Sequence, residues 1–412
     1  MARRDRNLLE SPALGTDLPE LAQPCGTHFN RDPLPPPTSG TPIGLTLSGG
    51  GFRATFAAVG VVRYLADCGL LGDVRYVSSV SGGSVANGML ATRWPSLREA
   101  GYSSASVDQH VTEPLAHRVQ RRSLKWKLIR NVWRAAGPST RTDLLAWAFD
   151  DWFFDGAQLE KLDPECRWIF NTANLTTGVR FAFERELLGD YVTGHAPTRG
   201  TGLRVATAVA ASAAVPGAFA PLTVRGVKFP CGGRVPPKLV DGGAYDNTGL
   251  EALDGDNYQH VFTISINAGG VFVTGAYGKI PLVRDLARSN SLLYRQSTGL
   301  RTRWMVDRFQ AWPKTPGVAV PRYARRGALF ALGTSIKREG APAPFLDFVA
   351  AHPEHRTHDG KDLAYVPTVF DRIEPKLLER LVYRGWWLTG ATLARWHPGF
   401  GPLHPDATPP PV

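Results

Sequence analysis

Short apolar runs alternating with helical patterns are the feature that most constrains the fold of this chain. Each run has six to eight residues and is rich in β-branched or aromatic side chains. The segments between the runs repeat apolar residues at helical spacing. This alternation predicts an α/β fold with a central, mainly parallel sheet flanked by helices. The predicted strands are residues 43–48, 75–80, 167–173, 203–209 and 260–267.

Proline marks both ends of the chain. Eight of the 33 prolines fall in residues 1–42, and six fall in residues 398–412. We therefore expect flexible Pro-rich segments at 1–42 and 398–412. Between them, residues 43–397 should form one ordered domain, with a helical insertion at about 107–160.

Composition excludes some classes of protein and favours others. Hydrophobic residues make up 43% of the chain and charged residues 20%, which excludes a disordered or collagen-like protein. The net charge of +11 favours an anionic partner, either a phospholipid surface or a nucleic acid. No zinc-ligand spacing or RNP-like run accompanies this charge, so we expect no nucleic-acid partner.

Cysteines and apolar stretches bear on the location of the protein. The cysteines lie far apart without a CxxC pair, so they predict neither a zinc site nor a disulfide framework, and a reducing compartment is expected. The N-terminal residues lack the apolar core of a signal peptide, which predicts a cytoplasmic location. The uncharged stretch from Val205 to Val224 reaches membrane-spanning length. Its alanines, Ser212 and two prolines suit a buried segment better than a bilayer. The four cysteines are Cys25, Cys68, Cys166 and Cys231.

A glycine-rich loop follows the first predicted strand. Gly49, Gly50 and Gly51 precede an apolar helical pattern, so main-chain N–H groups at the helix start would lie close to an anion. That anion is either a nucleotide phosphate or the oxyanion of a reaction intermediate. Gly49, Gly51 and Ala54 fit the dinucleotide pattern G-x-G-x-x-A. The acid that this pattern requires is missing from the end of the second strand, because Asp73 precedes that strand.

The second predicted strand runs into a serine turn, Ser-Val-Ser-Gly-Gly at 79–83. This is the nucleophile-elbow pattern with Ser79 in place of the first glycine, and Ser79 and Gly83 are small enough for such a tight turn. Ser81 is therefore a candidate nucleophile. A serine nucleophile needs a base and N–H donors for the oxyanion. The glycine loop would supply the donors, and Asp241, between an apolar run and two glycines, is the best candidate base.

With these motifs in their observed order, the chain resembles the patatin-like phospholipase family. The matching blocks are GGGFR at 49–53, SVSGG at 79–83, FNTANLTTG at 170–178, ASAAVPGAFAPL at 211–222 and DGGAYDN at 241–247. The resemblance implies a patatin-like three-layer fold over 43–397. It also implies a catalytic dyad of Ser81 as nucleophile and Asp241 as general base. The oxyanion segment implied by the family consists of Gly49, Gly50, Gly51 and Arg53, where Arg53 either orients the loop or meets a lipid phosphate.

The resemblance implies a serine lipid acyl hydrolase of the phospholipase A or lysophospholipase type. Such an enzyme cleaves a carboxylic ester of a phospholipid or another acyl lipid through an acyl-enzyme, with no cofactor and no metal. A catalytically silent lipid-binding or regulatory protein on the same scaffold is an alternative, and so is an acyltransferase. A Ser-Asp-His triad is a further alternative, because His260 follows Asp241 in the chain order of α/β-hydrolases.

Residues 118–134 contain seven basic residues and no acid. Leu124, Leu128 and Val132 recur every four positions, as on one apolar face of a helix. Tryptophan and cations on such a helix suit a membrane interface, which predicts peripheral contact with an anionic membrane. The alternative is a solvated helix whose apolar face packs on the core. The predicted membrane or substrate surface is Arg121, Arg122, Lys125, Trp126 and Lys127.

Two later segments predict helices. The arginine-rich residues 284–308 predict a packed helix with a charged face. Residues 377–396 predict one helix, a break at Gly385 and then a second helix. Trp386 and Trp387 are expected in the core rather than against lipid. No pattern in the sequence reports the oligomeric state.

Overall fold

The computed structural model describes residues 25, 31–135, 139–232, 235–271, 283–315, 317–352 and 360–400. Most of the two segments predicted to be flexible, 1–42 and 398–412, lies outside these ranges. The described residues confirm the α/β class, with a mixed central sheet flanked by helices.

Ten strands form one sheet, and their order along the main path is β10-β9-β1-β2-β3-β4-β5-β6. The five strands from β10 to β3 pair in parallel, whereas β4, β5 and β6 extend the sheet with antiparallel pairs. The strands are β1 (Ile43–Leu47), β2 (Val74–Ser79), β3 (Arg167–Asn174), β4 (Val179–Phe183), β5 (Leu187–Asp190), β6 (Gly194–Pro197), β7 (Leu222–Thr223), β8 (Lys238–Asp241), β9 (Phe262–Asn267) and β10 (Arg326–Ala331).

Helices cover both faces of the sheet. Helices α1, α2 and α10 pack on one face, and α8 lies on the other face, together with the turn at Leu250–Leu253. The helices are α1 (Gly51–Asp67), α2 (Gly82–Glu99), α3 (Ser104–Val107), α4 (Glu113–Arg121), α5 (Leu124–Arg130), α6 (Arg141–Phe149), α7 (Val205–Ser212), α8 (Val283–Gln310), α9 (Ala343–Ala351) and α10 (Pro375–Trp396).

Four of the five predicted strands are present, and the fifth prediction was wrong. Residues 203–209 were predicted as a strand, but α7 begins at Val205 and ends at Ser212. Alanine has the highest helix propensity, and this segment is alanine-rich. Because α7 is buried almost throughout, it carries no polar face that would have revealed the helical period.

The predicted helix break at Gly385 was also wrong, because α10 is continuous from Pro375 to Trp396. Gly385 instead lies where α10 crosses α1, and a β-carbon there would overlap the carbonyl oxygen of Ala57. The glycine therefore allows a close helix contact and does not end the helix. Trp386 and Trp387 are fully buried, which confirms their prediction as core residues.

One cysteine pair departs from expectation. Cys25 and Cys231 form a disulfide with their Cα atoms 6.0 Å apart, although 206 positions separate them in the sequence. Sequence spacing could not reveal this proximity, because it depends on the fold. Cys68 and Cys166 are buried thiols. Within the described ranges, no helix is long and apolar enough to cross a membrane, and no group of histidine, cysteine and acidic side chains could hold a metal.

Candidate active site

The sheet brings Ser81 and Asp241 together through their shared neighbour, β3. Strand β2 pairs with the first half of β3 and ends with Ser79 opposite Phe170. Strand β8 runs antiparallel to the second half of β3 and ends with Asp241 opposite Thr172. Strand β4 occupies one side of β3. Strands β2 and β8 therefore both lie on the opposite side of β3, and their carboxyl ends face each other. Residues that follow these two ends must therefore lie close together.

The turn at Ser81 has the geometry of a nucleophile elbow. Ser81 has φ 50° and ψ −117°, a backbone conformation that is strained for a residue with a β-carbon. Helix α2 begins directly after it, at Gly82. A β-carbon on Gly83 would overlap the carbonyl oxygen of Leu47, so only glycine permits this close approach of the turn to β1. The side chain of Ser81 is 4% exposed and lies in the wall of a cavity.

A buried network of serines holds this turn from behind. The Ser81 N–H donates to Ser212 Oγ at 2.9 Å, and Ser212 Oγ donates to the Asn171 carbonyl at 2.6 Å. Ser84 Oγ lies 2.9 Å from Ser212 Oγ and 3.0 Å from Ser79 Oγ. These contacts restrain the strained conformation of Ser81. We name Ser79, Ser84 and Ser212 the serine network.

Sequence reasoning assigned no role to Ser212, although it lies in one of the family blocks. The same segment also holds Asp241, whose N–H donates to the Ala214 carbonyl at 2.9 Å. Residues 212–214 therefore contact the backbone of both candidate dyad residues. The block itself was the only signal in the sequence that could have revealed this role.

Asp241 is buried beside Ser81, and both residues line the same cavity. Its carboxylate accepts a hydrogen bond from the Gly243 N–H at 2.7 Å. Burial raises the pKa of Asp241 to about 6, and the nearby Gly243 N–H and Ser81 hydroxyl offset only part of that effect. A carboxylate with this pKa is ionised at neutral pH and is a stronger base than an exposed aspartate.

The glycine loop lies directly against Ser81. A β-carbon on Gly49 would lie 3.1 Å from the Ser81 Cβ. The Gly49 N–H donates to the Asn247 carbonyl at 3.0 Å, and the Asn247 amide donates back to the Gly49 carbonyl at 3.4 Å. Asn247 therefore clamps the loop, a role that the sequence had not suggested. In the described part of the chain, the N–H groups of Gly50 and Gly51 have no acceptor.

Arg53 lies behind this loop and is 2% exposed. Its guanidinium donates to the carbonyl oxygens of Ala268 at 2.9 Å and of Val366, and to the Thr368 hydroxyl at 3.0 Å. Of the two roles expected for Arg53, these contacts favour the orientation of loops. The residues 364–373, which we name the rim segment, are thereby attached to the glycine loop.

The cavity at Ser81 has a volume of about 360 Å³. Its described lining includes no histidine. We name this space the Ser81 cavity.

His260 lies at the opposite end of the sheet from Ser81. It precedes β9, whose first residue pairs with the first residue of β1, whereas Ser81 follows the carboxyl end of β2. The alternative triad through His260 was therefore wrong, because the sheet separates the two side chains. A larger cavity of about 800 Å³ lies at the amino ends of β9 and β10, on the same remote edge as His260.

The predicted membrane surface is exposed in part. Trp126 is 63% exposed and Trp133 is 66% exposed, and Arg121, Arg122 and Lys125 are also at the surface. Lys127 was wrongly included, because it pairs with Asp151 and lies over the Trp147 ring. On a helix of 3.6 residues per turn, position 127 shares the less exposed face of α5 with Leu124 and Leu128, whereas Trp126 lies on the opposite face.

The exposed residues around Trp126 and Trp133 adjoin the rim of the Ser81 cavity. Ser123, the residue before α5, donates to Asp371 of the rim segment at 2.5 Å. The preceding rim residue, Phe370, packs against Phe52 at a ring-centroid distance of 5.2 Å. Thr368, also in the rim segment, lines the Ser81 cavity. We name Lys125, Trp126, Ile129, Val132 and Trp133 the tryptophan surface.

The family model of the patatin-like phospholipases matches residues 45–254, just over half of the 412 residues. The chain belongs to the patatin-like phospholipase family. The matched range contains both Ser81 and Asp241. No curated protein matches the chain.

Solved structures share the fold at low sequence identity. Human GIVD cytosolic phospholipase A2 has a TM-score of 0.52 and 14% identity, covering 86% of this chain. The match spans 59% of the human structure. VipD from Legionella pneumophila gives a TM-score of 0.32 at 15% identity, covering 87% of this chain and 71% of VipD. The human likeness supports the fold, a central mainly parallel mixed sheet flanked by helices.

Proposed function

We propose that the protein is a serine acyl hydrolase that cleaves carboxylic esters of membrane lipids with a Ser81–Asp241 dyad. The observation that carries the proposal is that Ser81, on its strained turn, and the buried Asp241 carboxylate line the same cavity. This pair lies in a cavity that Gly50 also lines. A nucleophile, a base and two N–H groups without acceptors are the parts that acyl transfer requires.

In the first half of the reaction, Ser81 Oγ attacks the carbonyl carbon of the ester while Asp241 takes the hydroxyl proton. The carbonyl oxygen becomes an oxyanion, and the N–H groups of Gly50 and Gly51 stabilise it. When the tetrahedral intermediate collapses, the bond to the alcohol oxygen breaks. Asp241 returns its proton to that oxygen, and an acyl-Ser81 ester remains.

In the second half, water takes the place of the lipid alcohol. Asp241 removes a proton from water as the water oxygen attacks the acyl carbon. Collapse of the second intermediate breaks the bond to Ser81 Oγ, which recovers its proton from Asp241. The products are a fatty acid and the free enzyme. Another alcohol in the place of water would give acyl transfer by the same steps.

The mouth of the Ser81 cavity suits an acyl lipid. Val215, Val271 and Leu293 line it with apolar side chains that are at least 40% exposed. The tryptophan surface, which includes Lys125, lies beside the rim segment, and three further exposed cations accompany it: Arg121, Arg122 and Arg130. We therefore include reversible contact with an anionic membrane in the proposal.

Labelling with a fluorophosphonate tests the nucleophile separately from any choice of lipid. A fluorophosphonate phosphonylates an activated serine and releases fluoride, so the wild-type protein should label stoichiometrically. Ser81→Ala should not label, and Ser106→Ala, which changes another buried serine, should label like the wild type. Absence of labelling in folded wild-type protein would favour a catalytically silent lipid-binding protein.

A further inference from the structure

A second cavity adjoins the Ser81 cavity on the side of α8. Its volume is about 450 Å³, and Gly270, Val271, Tyr294 and Arg295 line both spaces. A ligand with its reactive group at Ser81 could therefore extend from one cavity into the other. We name this space the adjoining cavity.

Polar groups from α8 form one wall of the adjoining cavity. Arg295, Thr298, Thr302 and Arg303 come from a little over two turns of this helix. The opposite wall contains the carboxyl ends of β9 and β10, including Asn267. These strand ends form the same edge of the sheet as the carboxyl end of β1, which precedes the glycine loop.

The charges around the adjoining cavity have one sign. Its described lining includes two arginines and no aspartate or glutamate. A third guanidinium, that of Arg53, lies behind Gly270, with Nη2 3.7 Å from the position that a β-carbon on Gly270 would take. Arg303 is exposed at the edge of the cavity, and no carboxylate among the described residues pairs with it. Such a space attracts an anion.

Thr298 supplies an unsatisfied polar group. Its hydroxyl is buried and has no hydrogen-bond partner among the described residues. A buried hydroxyl without a partner is destabilising, so a ligand oxygen that accepts its proton would be favoured. Thr302, one helical turn further along, also lines the cavity.

We propose that the adjoining cavity binds a phosphate group, and that it receives the headgroup phosphate of a glycerophospholipid whose ester lies at Ser81. Phosphate presents several acceptor oxygens, which match guanidinium forks and hydroxyl donors better than a neutral group does. The cavity is larger than a phosphate, so part of a headgroup also fits. The headgroup assignment rests on the proposed function, whereas phosphate binding does not.

Binding to a catalytically inactive protein tests the site without reference to turnover. In Ser81→Ala protein, isothermal titration with sn-glycerol 3-phosphate should show binding, and titration with glycerol should show none. Arg303→Gln in that background should weaken the binding about tenfold. Thr298→Val should also weaken it, by a smaller factor. The charge-matched control Arg322→Gln, at an exposed position beside Asp256, should leave it unchanged. Equal binding of glycerol and sn-glycerol 3-phosphate would overturn the site.

Kinetics separates a lipid headgroup from free phosphate. For dihexanoyl phosphatidylcholine, Arg303→Gln should raise KM about tenfold, while kcat/KM for p-nitrophenyl butyrate, which has no phosphate, stays at the wild-type value. An unchanged KM for the phospholipid, together with Arg303-dependent binding of inorganic phosphate, would overturn the headgroup assignment. Failure of the wild type to hydrolyse either ester would instead contradict the proposed function, and the titration would still decide the site.

Discussion

Burial of a single residue, Asp241, gives its carboxylate a pKa suited to the base that we propose. Its place at the end of β8 removes it from water, and the resulting pKa of about 6 lies near neutral pH. Only the ionised form can take the Ser81 proton. We therefore predict that kcat/KM falls below about pH 6, roughly tenfold per pH unit, in a pH profile with a soluble ester. Activity that stays constant down to pH 4 would contradict this assignment.

The same pKa shift predicts a cost in stability. An aspartate has a pKa of about 3.9 when unfolded, so between pH 4 and 6 the folded protein holds more protons than the unfolded chain. Stability contributed by this group therefore falls as the pH rises through that window, by about 3 kcal/mol in total.

We predict that Asp241→Asn is more stable than the wild type at pH 8, and that the difference disappears by pH 4. Turnover should be lost at both values. Urea unfolding at the two pH values measures the first effect, and an ester assay measures the second. An Asn variant that is less stable at pH 8 would show that the carboxylate does not carry the expected desolvation cost.

We propose that Ser212 is a positioning residue for Ser81. Ser212→Ala leaves the Ser81 N–H and the Asn171 carbonyl without their partner, which should lower the free energy of unfolding by about 1–3 kcal/mol. Because the strained turn loses its restraint, kcat should fall at least tenfold with little change in KM. Ser265→Ala is a matched control, because it removes a buried serine that bonds Thr46 on the neighbouring strand. A similar fall in kcat for both variants would reduce Ser212 to a general stabilising role.

Residue patterns revealed some parts of the candidate site and missed others. Ser81 follows a predicted strand, Asp241 lies between an apolar run and two glycines, and both lie in short motifs, so local sequence was sufficient to select them as candidates. Ser212 and Asn247 act through hydrogen bonds to residues 131 and 198 positions away. Such contacts depend on how the strands and helices assemble, and a single sequence contains no direct record of them.

At the scale of elements, the parallel strands β1, β2, β3 and β9 could be predicted, because buried parallel strands are continuous apolar runs. Helix α7 could not, since burial on all sides removes the amphipathic period from its sequence. The continuous α10 was hidden for a different reason. Glycine weakens a helix, yet Gly385 is required by the contact with α1, and tertiary packing overrides its propensity.

Helix α5 and the residues that flank it supply the element-scale prediction on membrane binding. Arg122 and Lys125 lie at the exposed surface, and a cation near an anionic bilayer contributes about 1 kcal/mol. The double variant Arg122→Gln/Lys125→Gln should therefore weaken binding to phosphatidylglycerol-containing vesicles roughly 10- to 30-fold in a co-sedimentation assay.

A charge-matched double variant separates this surface from the net charge of the protein. Lys314 and Arg322 are exposed and lie near the amino ends of β9 and β10, away from the rim segment. Lys314→Gln/Arg322→Gln should bind vesicles like the wild type. If both double variants lose binding equally, the tryptophan surface has no special role and α5 is a solvated helix packed on the core.

For the whole molecule, a single sheet explains why residues from distant parts of the chain converge. The carboxyl ends of β1 and β2 provide the glycine loop and the serine turn, and β8 brings Asp241 to the same place. α8 and the rim segment then enclose the space above them. The fold therefore brings the proposed nucleophile, base, oxyanion site and phosphate-binding cavity to one side of the molecule.

Release of fatty acid by the wild type and by Ser81→Ala tests the central proposal most directly. The substrates would be a phospholipid, a lysophospholipid, a neutral acylglycerol and a short-chain ester, each presented to folded protein. We predict that the wild type releases fatty acid from at least one lipid and that Ser81→Ala reduces this release at least 10³-fold. Undiminished release by folded Ser81→Ala, or no release by the wild type from any of the four, would contradict the proposal of a Ser81 acyl hydrolase.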